Sequence, residues 1–298
     1  MASRVHLEGL TISVGKRTRL YRLLYHYGPA NGTLMILPID QGLEHGPRDF
    51  FEAPSSSDPD FQFRIALDGK FSAIACHIGL ATKYYPRYAG KIPLILKLNG
   101  KTEIPSDDAP ISPLTATVAD AVRLGADAVG YTLYVGSSRQ DEDFNQFRQV
   151  REDADKWGIP VMVWAYPRGR AIEDKGGKDT VYAIDYAARV AQELGADVIK
   201  LNVPKIDRTR LQLAPAVYQR EWTTASALEQ VIQSAGQSLV IFAGGEKGQD
   251  SAALDKAREC MQAGGTGLIF GRNVWQRSFP EALDLSQKIR SMLSQFSR

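Results

Sequence analysis

The feature that most constrains this chain is a rhythm. Eight short runs rich in Val, Ile and Leu, at residues 33–40, 71–76, 93–99, 126–134, 160–166, 197–202, 238–243 and 267–271, alternate with longer amphipathic stretches. Near-continuous apolar runs suit strands buried on both faces, as parallel strands joined by crossover helices are. Helical spacing of apolar residues recurs between them, at 115–124, 144–157, 179–194, 226–235, 251–263 and 280–296. Two joints nearly repeat, AVRLGADAVG at 121–130 and AQELGADVIK at 191–200, and MQAGGTGLIFG echoes them before the last run. In each full repeat a glycine, Gly125 or Gly195, falls just past a helix end, where positive φ costs glycine least. Eight such units predict a closed (β/α)8 barrel in a single domain over 1–298, with an N-terminal extension at 1–32 and the barrel at 33–298. The competing arrangement is an open doubly wound sheet. No GxGxxG turn follows the first run, which weakens the dinucleotide-binding version of that sheet.

Composition removes other classes. The 298 residues carry 36 Lys plus Arg against 34 Asp plus Glu, a formal net charge of +2 with the signs interspersed. A nucleic-acid partner needs a concentrated basic face, so none is expected. A hydrophobic share of 44% is that of a folded chain, and a chain of this length buries enough surface to need no disulfide or structural metal. Cys76 and Cys260 lie apart in apolar stretches and are expected as reduced, buried thiols. Residues 1–16 lack the apolar core of a signal peptide, and no run approaches the ~18 apolar residues of a membrane span. A soluble, cytoplasmic protein with no membrane partner is expected.

The ends of the runs carry polar residues: Asp40, His77, Lys97 and Asn99, Tyr134, Trp164 and Tyr166, Lys200 and Asn202, Gly244 and Gly245, and Arg272. Ionisable groups ending apolar strands are costly unless paired or used, and in a barrel these ends converge on the catalytic mouth. Strand alternation puts Lys200 on the face of Val198, toward the interior. Burial there disfavours the charged amine, and a neutral lysine amine can form a Schiff base with a ketone. The plainer alternative is a structural lysine paired with a carboxylate such as Asp40. Lys97, in LILKLN, is a rival for the nucleophile, and the residues alone do not separate the two. Trp164 and Tyr166 share a face: the hydroxyl can shuttle protons beside a lysine and the indole can form a wall, or both can be barrel core. Asp40 can orient hydroxyls and favour a nearby cation, or cap a helix.

AGGEKG follows the seventh run and GRN the eighth, each leading into a helical segment. Glycine loops and helix starts bring backbone N–H groups to an anion, and these two loops are the usual phosphate site of barrels. Gly244, Gly245 and Gly271 are the candidate cradle, with Lys247 and Arg272 adding full charge. Metal catalysis has less support. Among His6, His26, His45 and His77 there is no HExxH or paired spacing, and the adjacent Glu44 and His45 suit surface or supporting chemistry. Three connections are long enough to act as lids, at 167–178, 203–223 and 49–60. The basic segment 205–210 has no evident partner.

The ordered set LPIDQGLEHGP, VMVWAYPRG, ADVIKLN, FAGGEKG and GLIFGRN resembles the archaeal-type, DhnA-like class I fructose-bisphosphate aldolases over residues 33–272. The resemblance implies that the Schiff base forms on Lys200, with Lys97 in support, and that Asp40, Trp164 and Tyr166 fall on active-site positions. It places Gly244–Gly245 and Gly271–Arg272 in phosphate loops. It further implies reversible cleavage of fructose 1,6-bisphosphate with no metal or other cofactor, and a ring-like homo-oligomer, often a decamer. A related Schiff-base enzyme acting on another phosphorylated sugar, or a non-catalytic phosphate-binding barrel, are the alternatives.

Overall fold

Each apolar run forms a strand whose ends lie within two residues of expectation: β1 (Leu34–Pro38), β2 (Ala73–His77), β3 (Leu94–Lys97), β4 (Ala128–Val135), β5 (Val161–Pro167), β6 (Val198–Leu201), β7 (Leu239–Ala243) and β8 (Gly267–Ile269). The structure, a computed structural model, describes residues 4–244 and 249–296. The strands pair in parallel in chain order, and β1 closes on β8 through Leu34 opposite Gly267 and Ile36 opposite Ile269. Closure rules out the open sheet. The expected helices are present as Val118–Arg123, Gln140–Trp157, Val181–Glu193, Thr224–Ser234, Asp250–Gln262 and Phe279–Leu293. Gly125 and Gly195 end their helices with φ of +68° and +97°, as the repeated joints predict.

Two crossover helices go unpredicted by spacing, Pro59–Asp68 and Ile78–Tyr84. The first begins with Pro59 inside the stretch expected to be a polar loop. Asp58 caps it by accepting from the Asp60 N–H, a start that fits proline at the first helical position. The second has only seven residues, too few for a clear period. The rest of the 49–60 connection is short 3-10 helix, Gly46–Phe50 and Pro54–Ser57.

Strand alternation divides the core in two. Ile36, Ala75, Ile95, Ala128, Met162, Val198, Ile241 and Ile269 point inward, while Leu37, Ile74, Leu96, Val129, Val163, Ile199 and Phe242 point out against the helices. The extension closes the N-terminal end of the barrel. Leu7, Leu10, Leu20, Leu23 and Leu24 join the inner cluster, each burial contributing about 2 kcal/mol. Beside them the buried Lys16 holds Asp197, at the start of β6, at 2.8 Å and Asp155 at 2.7 Å. With the extension packed across its floor, the barrel opens to a cavity where the strands end.

Candidate active site

The mouth is a cavity of about 600 Å³ lined by the ends of β1, β4, β5, β6, β7 and β8 and the loops after them. Lys200 is 5% exposed, on the inward face with Val198, opposite Trp164 of β5 and Ile241 of β7. Its Nζ donates to the Tyr166 hydroxyl at 2.8 Å and to Asn202 Oδ1 at 3.1 Å. Neither partner is charged. Burial therefore dominates and lowers the amine to a pKa of about 7, against the opposing pull of Glu44 and Asp40 and with help from Arg168 and Lys97. The suggested Lys200–Asp40 salt bridge is not formed.

Asp40 belongs to the rival lysine. Lys97, fully buried, donates to Asp40 Oδ2 at 3.1 Å and to Thr132 Oγ1 at 2.8 Å, and its Nζ stands 4.2 Å from the centre of the Trp164 ring. Burial opposes the Asp40 carboxylate, but Lys97 outweighs it and holds its pKa below the usual carboxylate range. Asp40 precedes the short helix Gln41–His45, yet its side chain makes no cap bond. The two lysines are thus distinguished by their partners: Lys97 is a paired cation, whereas Lys200 is bound to neutral oxygens. Gly130 makes room for this arrangement, since a Cβ there would lie 2.8 Å from both Lys97 Cδ and the Trp164 ring.

Trp164 and Tyr166 share the inner face, as alternation predicts. Burial, followed by the negative field of Glu44 and Asp40, raises the Tyr166 pKa well above normal, so the phenol keeps its proton. The Arg168 guanidinium lies 5.0 Å from the centre of its ring. Glu44 was expected as ordinary surface or supporting chemistry. It instead faces the cavity, with Oε1 3.8 Å from Lys97 Nζ. Only the tertiary fold shows this, because Glu44 lies beyond the strand end on a five-residue helix. His45 turns to Asp49, with Nδ1 2.7 Å from Oδ2. His77 is held neutral, its pKa lowered to about 4 by burial and by Lys97, and both ring nitrogens are buried without a hydrogen-bond partner among the described residues.

The phosphate candidates lie at the ends of β7 and β8, between the Lys200 strand and the Asp40 strand. Gly244, Gly271 and Arg272 all line the cavity. The Gly244 N–H, however, is taken by the Ile269 carbonyl at 3.0 Å, and its carbonyl accepts from Asn273 at 3.0 Å. That amide completes the strand ladder and is not free for an anion. Arg272 begins the four-residue helix Arg272–Trp275, with Nε 3.9 Å from Asp49 Oδ2. Gly245 and Lys247 lie outside the described residues. Two of the three expected lids reach the mouth, 167–178 through Arg168 and Lys178 and 203–223 through Val203 and Lys205. In the basic segment, Lys205 pairs with Asp179 at 2.7 Å, while Arg208 and Arg210 pair with Glu221 and Asp207. Among the described residues no group of three or more His, Cys, Asp or Glu is arranged to hold a metal, and no helix is long and apolar enough to cross a membrane.

These features define a parallel (β/α)8 barrel with a lysine-centred mouth. The chain belongs to the DeoC/LacD family of aldolases, whose model matches residues 34–277. The class 1 fructose-bisphosphate aldolase of Halobacterium salinarum is 38% identical over 252 residues, 85% of this chain and 88% of the relative. The fructose-bisphosphate aldolase/6-deoxy-5-ketofructose 1-phosphate synthase of Methanocaldococcus jannaschii is 31% identical over 290 residues, 94% of this chain and 87% of the relative. An archaeal fructose-1,6-bisphosphate aldolase, solved with its catalytic Lys covalently bound to the carbinolamine intermediate of the substrate, matches with a TM-score of 0.77 and 33% identity, covering 92% of this chain and 99% of its own.

Proposed function

We propose that this protein is a class I aldolase that reversibly cleaves fructose 1,6-bisphosphate to dihydroxyacetone phosphate and glyceraldehyde 3-phosphate through a Schiff base on Lys200. The observation that carries this reading is the Lys200 amine itself, buried among neutral partners with its pKa lowered to about 7. Near neutrality roughly half of such an amine is unprotonated, against roughly one in a few thousand for an exposed lysine.

Lys200 attacks the C2 ketone, and loss of water leaves an iminium. This draws electrons from the C3–C4 bond as that bond breaks. Glyceraldehyde 3-phosphate leaves, the enamine is protonated at carbon to the iminium of dihydroxyacetone phosphate, and water hydrolyses that iminium to release the ketone and the Lys200 amine. Tyr166, 2.8 Å from the amine, relays protons during dehydration and at the C4 hydroxyl. Asp40, tied to Lys97, orients hydroxyls and supports positive charge at the iminium, and Trp164 forms the wall. Gly271 and Arg272, after the eighth strand, and Gly245 and Lys247, after the seventh, receive a phosphate, while Gly244, its amide bound in the ladder, only shapes the start of that loop. No metal or other cofactor takes part. The protein works in the cytoplasm as a homo-oligomer, and a ring of ten subunits is the form to test by light scattering.

Borohydride reduction with dihydroxyacetone phosphate tests the reading. A stable adduct is expected on the peptide containing Lys200, and cleavage is expected to persist in excess chelator. An adduct on Lys97 would overturn the residue assignment, and no adduct would leave a phosphate-binding barrel. A second reading, action on another phosphorylated sugar, is favoured by the two-part name of the Methanocaldococcus relative. Cleavage rates across a panel of phosphorylated ketoses separate the two.

A further inference from the structure

Five carboxylates line the mouth, and Asp40, Glu103, Asp107 and Asp179 are each held by a cation at 3.1 Å or less, from Lys97, Arg48, Lys101 and Lys205. Glu44 lines the mouth with Lys200 and Tyr166, yet no donor among the described residues hydrogen-bonds its side chain, and its nearest cation, Lys97, stands at 3.8 Å. Its backbone is fixed, the carbonyl accepting from the Glu103 N–H at 2.9 Å. Asp40 is tied to Lys97 by a hydrogen bond, and Asp49 to His45. The Glu44 side chain thus lacks the hydrogen bonds that fix its neighbouring carboxylates and is available to exchange a proton inside the cavity.

Resting on the reading above, we propose that Glu44 is the proton acceptor that frees the Lys200 amine and later returns that proton to drive dehydration. The Lys200 ammonium gives a proton to the Tyr166 hydroxyl, 2.8 Å away, as that hydroxyl passes its own through a water of the cavity to Glu44, leaving a neutral amine, an intact phenol and a carboxylic acid. The amine lone pair then forms the C–N bond, and the amine proton moves to the former carbonyl oxygen. Glu44 next protonates that hydroxyl through the same relay, water leaves as the C–O bond breaks, and the nitrogen lone pair completes the iminium. Glu44 ends ionised, and the sum is ketone plus ammonium giving iminium plus water.

The surrounding charges favour this exchange. Asp40 from β1, Lys97 from β3, Tyr134 from β4, Tyr166 and Arg168 from β5, Lys200 from β6 and His45 on its own helix all face Glu44 or the amine. Burial first and Asp40 second raise the Glu44 pKa, while Glu44 is the charge that most opposes the lowering at Lys200. An arriving phosphate dianion adds to the field that protonates Glu44.

The test is Glu44→Gln, with Glu44→Asp as the conservative partner and a thermal melt to verify the fold. Borohydride trapping of dihydroxyacetone phosphate should slow about a hundredfold in Glu44→Gln. Its acid limb should also move to lower pH, because the charge that stabilises the Lys200 ammonium is gone, and Glu44→Asp should recover part of the rate. Wild-type trapping on Lys200 alongside an unchanged rate in Glu44→Gln would overturn this inference while leaving the nucleophile in place. A shifted limb at full rate would also overturn it, since Glu44 would then act through charge alone. Failure of the wild type to trap would instead overturn the proposed function.

Discussion

Lys16, on the helix Val14–Tyr21 and bound to Asp197 just before β6, and Lys200, on β6 itself, lie toward the floor and the mouth of the barrel and are almost equally shielded from solvent, at 6% and 5% exposed. Lys16 meets two carboxylates, Asp197 and Asp155. Burial opposes its charge, but the carboxylates outweigh burial and raise its pKa. Lys200 meets a phenol and an amide, and burial prevails. Low solvent exposure therefore does not by itself make a nucleophile; Lys200 is packed more deeply than Lys16, and depth together with the charge of the partners separates a reactive amine from a structural cation. Lys97 sides with Lys16, held by Asp40 at 3.1 Å deep in the same mouth.

Exchanging chemistry at each end should break the contrast. The largest effect is expected for Lys200→Arg, which keeps a cation but cannot form the Schiff base: cleavage should fall by at least roughly a thousandfold, about 4 kcal/mol of transition-state stabilisation, with no borohydride adduct. Lys16→Met should act on stability instead. It leaves Asp197 buried without its cation and is expected to cost about 3 kcal/mol in urea unfolding, with turnover per folded molecule unchanged. A loss of turnover there would mean that the floor and mouth are coupled. Tyr166→Phe removes the 2.8 Å hydroxyl partner of Lys200 and should slow turnover about a hundredfold, about 2.7 kcal/mol, with little change in KM.

The barrel was legible because its signal is local. Eight apolar runs and two glycine joints require no knowledge of partners, and Gly125 and Gly195 take the predicted positive φ. Helices Pro59–Asp68 and Ile78–Tyr84 were not legible, since a leading proline and a seven-residue length leave little period to detect. The floor was equally hidden: the extension shows leucines, but only the fold packs them against the inward-facing side chains of the strands. At the mouth, alternation supplied the inward faces of Lys200, Trp164 and Tyr166, while the pairing of Asp40 with Lys97 depends on residues 57 apart. Glu44 was missed for a related reason, lying past the strand end where alternation no longer says which way a side chain points.

The smallest expected effect sharpens the comparison through stability rather than rate. Between about pH 7 and the ordinary lysine value of 10.5, Lys200 is largely neutral in the folded barrel and protonated in the unfolded chain. The unfolded state then binds more protons, so raising the pH across this window stabilises the fold, by about 1.4 kcal/mol per unit at most. Lys16 has the opposite sign: its raised pKa contributes stability that is complete below the unfolded value and lost as pH climbs through the folded one. Lys200→Met deletes the first contribution and leaves the second. Urea unfolding at pH 7.5 and 9 should therefore find the variant more stable than wild type at the lower pH, with the gap narrowing by about 2 kcal/mol at the higher. A gap that stays constant would mean that Lys200 is protonated in the fold throughout, and would place it with Lys16 and Lys97 among the structural cations.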